Sequence, residues 1–266
     1  MKAKTTLYPL SVGILLSTGP ALADTTPQDT GERLEEVVVT AQKREEKLQN
    51  VPVSVTAYSE TALRDSGVRN TADVMAMTPN VSFDQSFTVG NSFITLRGIE
   101  QINNADPPVA VVVDGVPEGN QKQLRMELFD VERVEVLAGP QGALYGRDAI
   151  GGAINIITKQ PTNEFSGFAV AGGGSGSERF GIFAASGPII DDKLLFRVSG
   201  EYKDSDGQIT NSYLHEKVDF YTSKDFRGKL LWKVTDDLKI DLRFSHTDNL
   251  GGANYDVAIP DSVFQS

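Results

Sequence analysis

Val131–Lys159, VERVEVLAGPQGALYGRDAIGGAINIITK, constrains the fold more than any other stretch of the chain. It opens as a strand in which Val134 and Val136 face one way and Arg133 and Glu135 the other. Gly139-Pro140 then reverses the chain, and Gly142, Gly146, Gly151 and Gly152 follow. A second strand-like run, Ala153–Thr158, closes the segment. Glycine tolerates φ > 0 and carries no Cβ, so the pattern fits two strands pressed together through tight turns and close backbone approaches.

The N-terminus has the makeup of an export signal. Lys2 and Lys4 precede the apolar stretch Leu7–Leu16, and Ala21-Leu22-Ala23 has the form of a cleavage site, which would start the mature chain at Asp24. That apolar stretch is well short of the roughly 18 residues a spanning helix needs. No later segment is long and apolar enough either, so any membrane crossing has to be made by strands. The 25 Lys and Arg less those two leave 23 against 36 Asp and Glu, a net charge of −13. A nucleic-acid partner is excluded by that acidity, because such binding needs a basic surface. The absence of cysteine rules out disulfides and thiolate metal sites. His215 and His246 have no carboxylate pair at metal-ligand spacing, so neither a metal site nor a cofactor is expected.

Residues 24–49 form a flexible N-terminal segment, polar from Asp24 to Leu34. Within it lies Glu35-Glu36-Val37-Val38-Val39-Thr40-Ala41, a β-branched run followed by the charges Lys43–Lys47. A strand of this kind, with no partner expected in its own sequence neighbourhood, suits addition to the sheet edge of another protein. The other reading is an ordinary first strand of the domain that follows.

That domain, residues 50–160, alternates strands with two short helices. Val51–Tyr58 reads as a strand, Glu60–Arg64 as a helix capped by Ser59, and Thr71–Met77 as a helix capped by Asn70 or Thr71 and ended by Pro79. Strand-like runs return at Ser92–Arg97 and Val109–Val113, the latter leading into the tight-turn pair Asp114-Gly115. From residue 161 to 266 the pattern becomes about five long two-faced strands. Leu194, Phe196, Val198 and Tyr202 oppose Arg197, Ser199, Glu201 and Lys203. Phe226, Leu230 and Trp232 oppose Arg227, Lys229 and Lys233, while Leu238, Ile240, Leu242 and Phe244 oppose Lys239, Asp241, Arg243 and Ser245. Phe165–Gly173 and Arg179–Gly187 are weaker, glycine- and alanine-rich versions. Ten-residue segments alternating in this way are the signature of a transmembrane β-barrel, with Gly187–Asp192 and Thr235–Asp237 as short periplasmic turns and Asp204–Lys224 as a long extracellular loop. A half-buried sheet in a soluble sandwich alternates identically.

The order of strand, two helices, LRG at Leu96–Gly98, VVVDGVP at Val111–Pro117, VEVLAGP at Val134–Pro140 and the glycine-rich close resembles the plug domain of TonB-dependent outer-membrane receptors. Ala138 departs from the basic residue expected in that last motif, which puts in doubt a plug-to-barrel ion pair at that point. The resemblance implies an α+β plug domain followed by the start of an antiparallel transmembrane β-barrel of the 22-stranded type. It also implies that the chain is the front part of a longer receptor, since five strands cannot close a barrel. Glu36, Val37, Val38, Val39, Thr40 and Ala41 then correspond to the TonB box, which pairs with TonB and its inner-membrane energising complex. Asp84, Gln85, Phe87 and Asn91, with Gln101, Asn103 and Asn104, correspond to the plug loops nearest a ligand.

The function implied is energy-coupled uptake of a scarce ligand by a monomer embedded in outer-membrane lipid. Ferric siderophores are the commonest cargo of the resembling family. The alternative is a soluble periplasmic plug-like module, or a truncated remnant without transport activity. A signalling receptor would need a folded domain ahead of the box, and only Asp24–Leu34 stands there. Catalysis is not expected: Asp191-Asp192 and Asp236-Asp237 sit where turns favour Asp, and there is no nucleophile motif or GxxxxGK[ST].

Overall fold

The computed structural model describes residues 38–39, 46–47, 54–85, 92–101, 107–118, 120, 123–146, 149–211 and 215–252. The signal-like segment and most of the flexible segment lie outside the described residues. Strand β1 (Val38–Val39) pairs antiparallel with β2 (Glu46–Lys47) in a sheet of their own. Strand β3 (Ser54–Ser59) runs straight into helix α1 (Glu60–Asp65), whose first turn is capped by Ser59 Oγ accepting the Ala62 N–H at 3.3 Å. Helix α2 (Thr71–Met77) begins with a capping box. Asn70 Oδ1 accepts the Asp73 N–H, and the Asp73 carboxylate accepts the Asn70 N–H in return.

Strands β4 (Val81–Gln85) and β5 (Ser92–Leu96) make a second small antiparallel pair. Strands β6 (Val109–Val113) and β7 (Val116–Glu118) then form a hairpin around Asp114-Gly115. Both turn residues have positive φ, +49° and +88°, as a two-residue hairpin of native twist requires. Strand β8 (Val131–Ala138), helix α3 (Gly142–Tyr145) and β9 (Gly152–Thr158) complete the unit. The main sheet has the order β3-β8-β9-β6-β7, with β6 and β9 parallel and the other neighbours antiparallel.

One face of this sheet presents Val109, Val111, Val134, Val136, Ile154 and Ile156 to Leu63 of α1 and Val74 and Met75 of α2. The opposite face is covered as well, around Ala110, Val112, Leu137 and Ala153. The sequence pattern gave β8 one polar face. Glu135 is nevertheless fully buried, accepting from Arg133 Nε at 2.9 Å and from Asn155 Nδ2 at 3.2 Å. A strand covered on both faces has no wet side, so its charged residues are paired instead. Gly152 is required by contact. A Cβ there would stand 2.2 Å from the Leu137 carbonyl oxygen and 2.5 Å from a Leu96 methyl.

The second unit is a five-stranded antiparallel sheet in sequence order: β10 (Ser166–Gly173), β11 (Arg179–Ile190), β12 (Leu194–Ser205), β13 (Tyr221–Lys233) and β14 (Lys239–Gly251). The strands are longer than their apolar alternation marks, because the ladder continues past the apolar band at the long-loop end, through Tyr221–Asp225 and His246–Gly251. Pro188, read as part of a turn, lies in β11 opposite Leu195. Strand β10 ends its pairing at Ser186, so the missing N–H of Pro188 costs no ladder bond on that side.

Burial in this sheet is inside out. The polar residues Arg197, Ser199, Asp225 and Lys229 are buried against the first unit. The apolar residues Trp232 (47 % exposed), Leu242 (57 %) and Phe244 (60 %) face outward. A soluble sandwich buries the opposite face, so the sandwich reading fails on this observation, and lipid is the surrounding that such a surface fits. Trp232 is the sole tryptophan of the 266 residues. In membranes containing brominated lipid, the fluorescence lost on changing Trp232→Phe is expected to be largely quenched; an unquenched Trp232 signal would contradict the lipid-facing assignment.

Candidate functional site

The buried polar face of the second unit is where the two units join, and carboxylates of the first unit meet cations of the second. Asp130, just ahead of β8, holds Arg197 of β12 through a fork: Nε donates to Oδ2 at 2.7 Å and Nη2 donates to Oδ1. Arg197 is only 7 % exposed. Asp114, in the β6–β7 turn, pairs with Lys229 of β13 at 3.0 Å, and Lys229 also donates to the Thr158 carbonyl at 3.1 Å. The same Asp114 carboxylate accepts the Thr158 N–H at 2.9 Å and hydroxyl at 2.6 Å, so the turn is locked to the end of β9. Arg243 of β14 donates to the Asp114 carbonyl.

Further along, Arg227 reaches the carbonyls of Phe129 at 2.9 Å and Glu127 at 3.3 Å and stacks 4.1 Å from the Phe129 ring centroid. Glu127 pairs with Lys203 at 3.5 Å and accepts from the Tyr221 hydroxyl at 3.3 Å. Burial pushes the Glu127 carboxyl above its usual range, against the pull of Lys203 and Arg125. At the rim, Arg69 pairs with Glu178 at 3.0 Å and lies over the Phe180 ring. Asp114 and Asp130 both have positive φ, +49° and +55°, which aims their side chains out of the sheet ends. The doubt raised by Ala138 is thus confined to that residue, since the ion pairs rest on other positions.

A cavity of about 360 Å³ opens between the segment after β7 and the long-loop end of β14, lined by Glu118, Gln123, Arg125, Met126, Thr247 and Asn249. Its volume falls within the small-molecule range of about 300–1,000 Å³. Glu118 is a plug carboxylate whose protonated form is favoured by burial, with Arg227 opposing. Sequence reasoning missed this wall. The one signal for it was the polar run Glu118–Gln123 between two apolar strands.

The ligand-loop residues read from the sequence fare differently. Asp84 and Gln85 belong to strand β4 rather than a loop, because Asp84 pairs with Phe93 and Gln85 with Ser92. Asp84 is exposed. Gln101 is 4 % exposed and its side-chain oxygen accepts the Ile94 N–H, so it is committed to the interior of the first unit. Phe87, Asn91, Asn103 and Asn104 lie outside the described residues.

Of the box residues, Glu36, Val37, Thr40 and Ala41 also lie outside the described residues. Val38 and Val39 pair with Lys47 and Glu46. The expectation of no partner in the sequence neighbourhood is therefore corrected, since the charged run nearby supplies one. Val39 is fully buried among Ala110, Val112, Leu137, Ala149 and Ala153, where small side chains leave room for it. Burying a valine contributes about 1.5–3 kcal/mol.

Arg197→Ala would strand Asp130 as a buried unpaired charge, costing about 3–5 kcal/mol. Arg69→Ala at the exposed rim pair should cost under about 1 kcal/mol. Urea unfolding of the plug transition in detergent-extracted protein measures both, and equal midpoints for the two variants would contradict the assignment of Asp130 as an anchor.

The family model described as TonB-dependent Receptor Plug Domain matches residues 47–153. The pesticin receptor of Yersinia pestis is 36 % identical over 209 residues, which cover 78 % of this chain and 30 % of that protein. The ferric enterobactin receptor PirA of Pseudomonas aeruginosa is 28 % identical over 274 residues, covering 87 % of this chain and 36 % of that protein. Among solved structures, the ferric yersiniabactin uptake receptor FyuA from Yersinia pestis superposes with a TM-score of 0.67 at 32 % identity, over 74 % of this chain and 31 % of that one. The chain thus spans about a third of the length of the relatives it matches. These matches agree with the architecture described above: the chain belongs to the TonB-dependent outer-membrane receptors, as a plug domain followed by the opening strands of the receptor barrel.

Proposed function

We propose that the receptor carrying this chain takes up a ferric siderophore across the outer membrane, driven by TonB and its inner-membrane energising complex. One observation carries the reading. A folded plug is fixed inside a lipid-facing sheet by buried ion pairs, Asp130–Arg197 and Asp114–Lys229, so passage needs work done on the plug. The relatives supply the cargo class: one is a ferric enterobactin receptor and a solved neighbour is a ferric yersiniabactin uptake receptor. The receptor works as a monomer in outer-membrane lipid, and its chemistry is transport rather than catalysis.

The ligand enters from the long-loop end and rests in the cavity walled by Gln123, Arg125 and Asn249. Residues 35–41 are the TonB box. Strand β1 has a partner on one edge only among the described residues, and the other edge can take a strand from TonB by main-chain hydrogen bonds. Its second residue, Val39, sits against the plug sheet, so a pull on the strand is felt by β6, β8 and β9.

Proline at position 38 removes the N–H that strand addition uses. In cells expressing the receptor, Val38→Pro is expected to reduce uptake of the radiolabelled ferric siderophore to the level of cells lacking TonB, with surface binding of the same ligand unchanged. Normal uptake by Val38→Pro would remove residues 35–41 from the coupling role.

A further inference from the structure

Near the long-loop end, the inner face of the barrel sheet sets two acids side by side. Glu201 of β12 stands directly opposite Asp225 of β13 in the ladder, a position in which like charges repel. Asp225 is supplied with donors, the hydroxyls of Ser223 and of Thr247, and Thr247 also lines the cavity of about 360 Å³. Glu201 has neither a hydrogen bond nor an ion pair from its side chain among the described residues. Its partner on the other side, Ile182 of β11, is apolar.

From the plug, Glu127 faces this pair. Its segment is tied to the start of α2, where the Thr71 hydroxyl donates to the Leu124 carbonyl at 2.7 Å and accepts the Met126 N–H at 3.1 Å. Glu127 is 3 % exposed. Its Oε1 accepts from the Tyr221 hydroxyl, but its Oε2 has no hydrogen-bond donor among the described residues. Lys203 Nζ stands 3.5 Å from that oxygen, outside hydrogen-bond geometry. The other cations around the three acids have further contacts. Arg227 of β13 donates to the Glu127 and Phe129 carbonyls, Arg125 of the plug lies over the Tyr221 ring, and Arg69 of the plug pairs with Glu178.

A buried carboxylate oxygen without a donor is unfavourable as an anion, whereas a protonated carboxyl becomes a donor itself. Burial accordingly favours the protonated form of Glu127. A cavity of about 100 Å³, walled by Glu201, Lys203, Arg69 and Phe129, has room for water beside the acids, so protons can reach them.

We propose that Glu127 and Glu201 hold one proton between them while the plug is seated, which makes this part of the seam a latch that tightens in acid. Carboxyls that face each other across a buried seam titrate as a pair, and the pair retains a proton that separate, solvated carboxyls lose. When the plug leaves its seat, Glu127 parts from Glu201, both meet water and the proton departs. The seated form thus binds more protons than the unseated one. Its added stability is fully present at and below the ordinary carboxylate range and is lost as pH rises through the raised range of the pair.

Urea unfolding of the plug transition in detergent-extracted receptor, run between about pH 5 and about pH 8, tests this. In the wild type the equilibrium for leaving the seat is expected to rise with pH, by up to about tenfold per unit. Glu201→Gln, which keeps the shape of the protonated acid, is expected to match the wild type at the acid end, to be more firmly seated at the alkaline end, and so to lose the rise. Glu127→Gln is expected to lose it as well, while Glu216→Gln on the exposed loop keeps it. A wild-type equilibrium that does not rise with pH, a rise kept in full by either Glu201→Gln or Glu127→Gln, or its loss in Glu216→Gln would overturn the latch. The measurement uses neither ligand nor TonB, so its failure leaves the uptake reading untouched.

Discussion

Asp130 and Arg197 meet in a two-point fork with both side chains nearly cut off from water, and the plug and the barrel wall are joined through contacts of this kind. Taking two charges out of water is costly, and the geometry has to repay it. Here it does so through fork geometry at Arg197 and through shared donors at Asp114, which holds Lys229 and the Thr158 backbone and hydroxyl together. Such pairs contribute less as net stability than as register. A buried acid that finds its one cation in a single orientation of the plug fixes that orientation, and slipping by a strand would strand both charges.

The same requirement explains the inside-out barrel sheet. Strands that keep lysine and arginine on the inner face need a partner there, and the plug supplies carboxylates from its sheet ends. The other face is apolar and suits lipid, so Leu242, Phe244 and Trp232 are exposed in the chain without being misplaced. Glycines at close contacts, Gly152 against the Leu137 carbonyl above all, let the plug sheet pack tightly enough to fit within such a wall. The arrangement is stable at rest and open to disruption from one side, because β1 and β3 lie nearest the N-terminal segment while the buried ion pairs gather at the ends of β6, β8 and β9.

Much of this was legible in the sequence, for identifiable reasons. Helices α1 and α2 carry their own start signals in Ser59 and in the Asn70/Asp73 box, and the Asp114-Gly115 turn declares its conformation. Two-faced strands such as β12 and β13 were visible from period-two alternation alone. What alternation could not say is which face is wet, and that is why the paired Glu135 and the buried Arg197 emerged only from the fold. The cavity wall escaped because Gln123, Arg125 and Asn249 are ordinary in type and Asn249 is remote in sequence from the other two. Asp84 and Gln85 looked like loop residues because Asp itself is depleted in strands, and the ladder to β5 made them strand. The partner of Val38 and Val39 was hidden for the same reason, since Glu46-Lys47 has no strand propensity of its own.

The central claim is that cations on the barrel wall hold the plug in its closed seat. Planar-bilayer recording of the purified receptor tests it most directly, comparing the wild type with the Arg197→Ala/Lys229→Ala double variant. The account predicts no steady conductance for the wild type and a persistent open conductance for the double variant, as the plug loses its seat. A double variant as tightly closed as the wild type would contradict it.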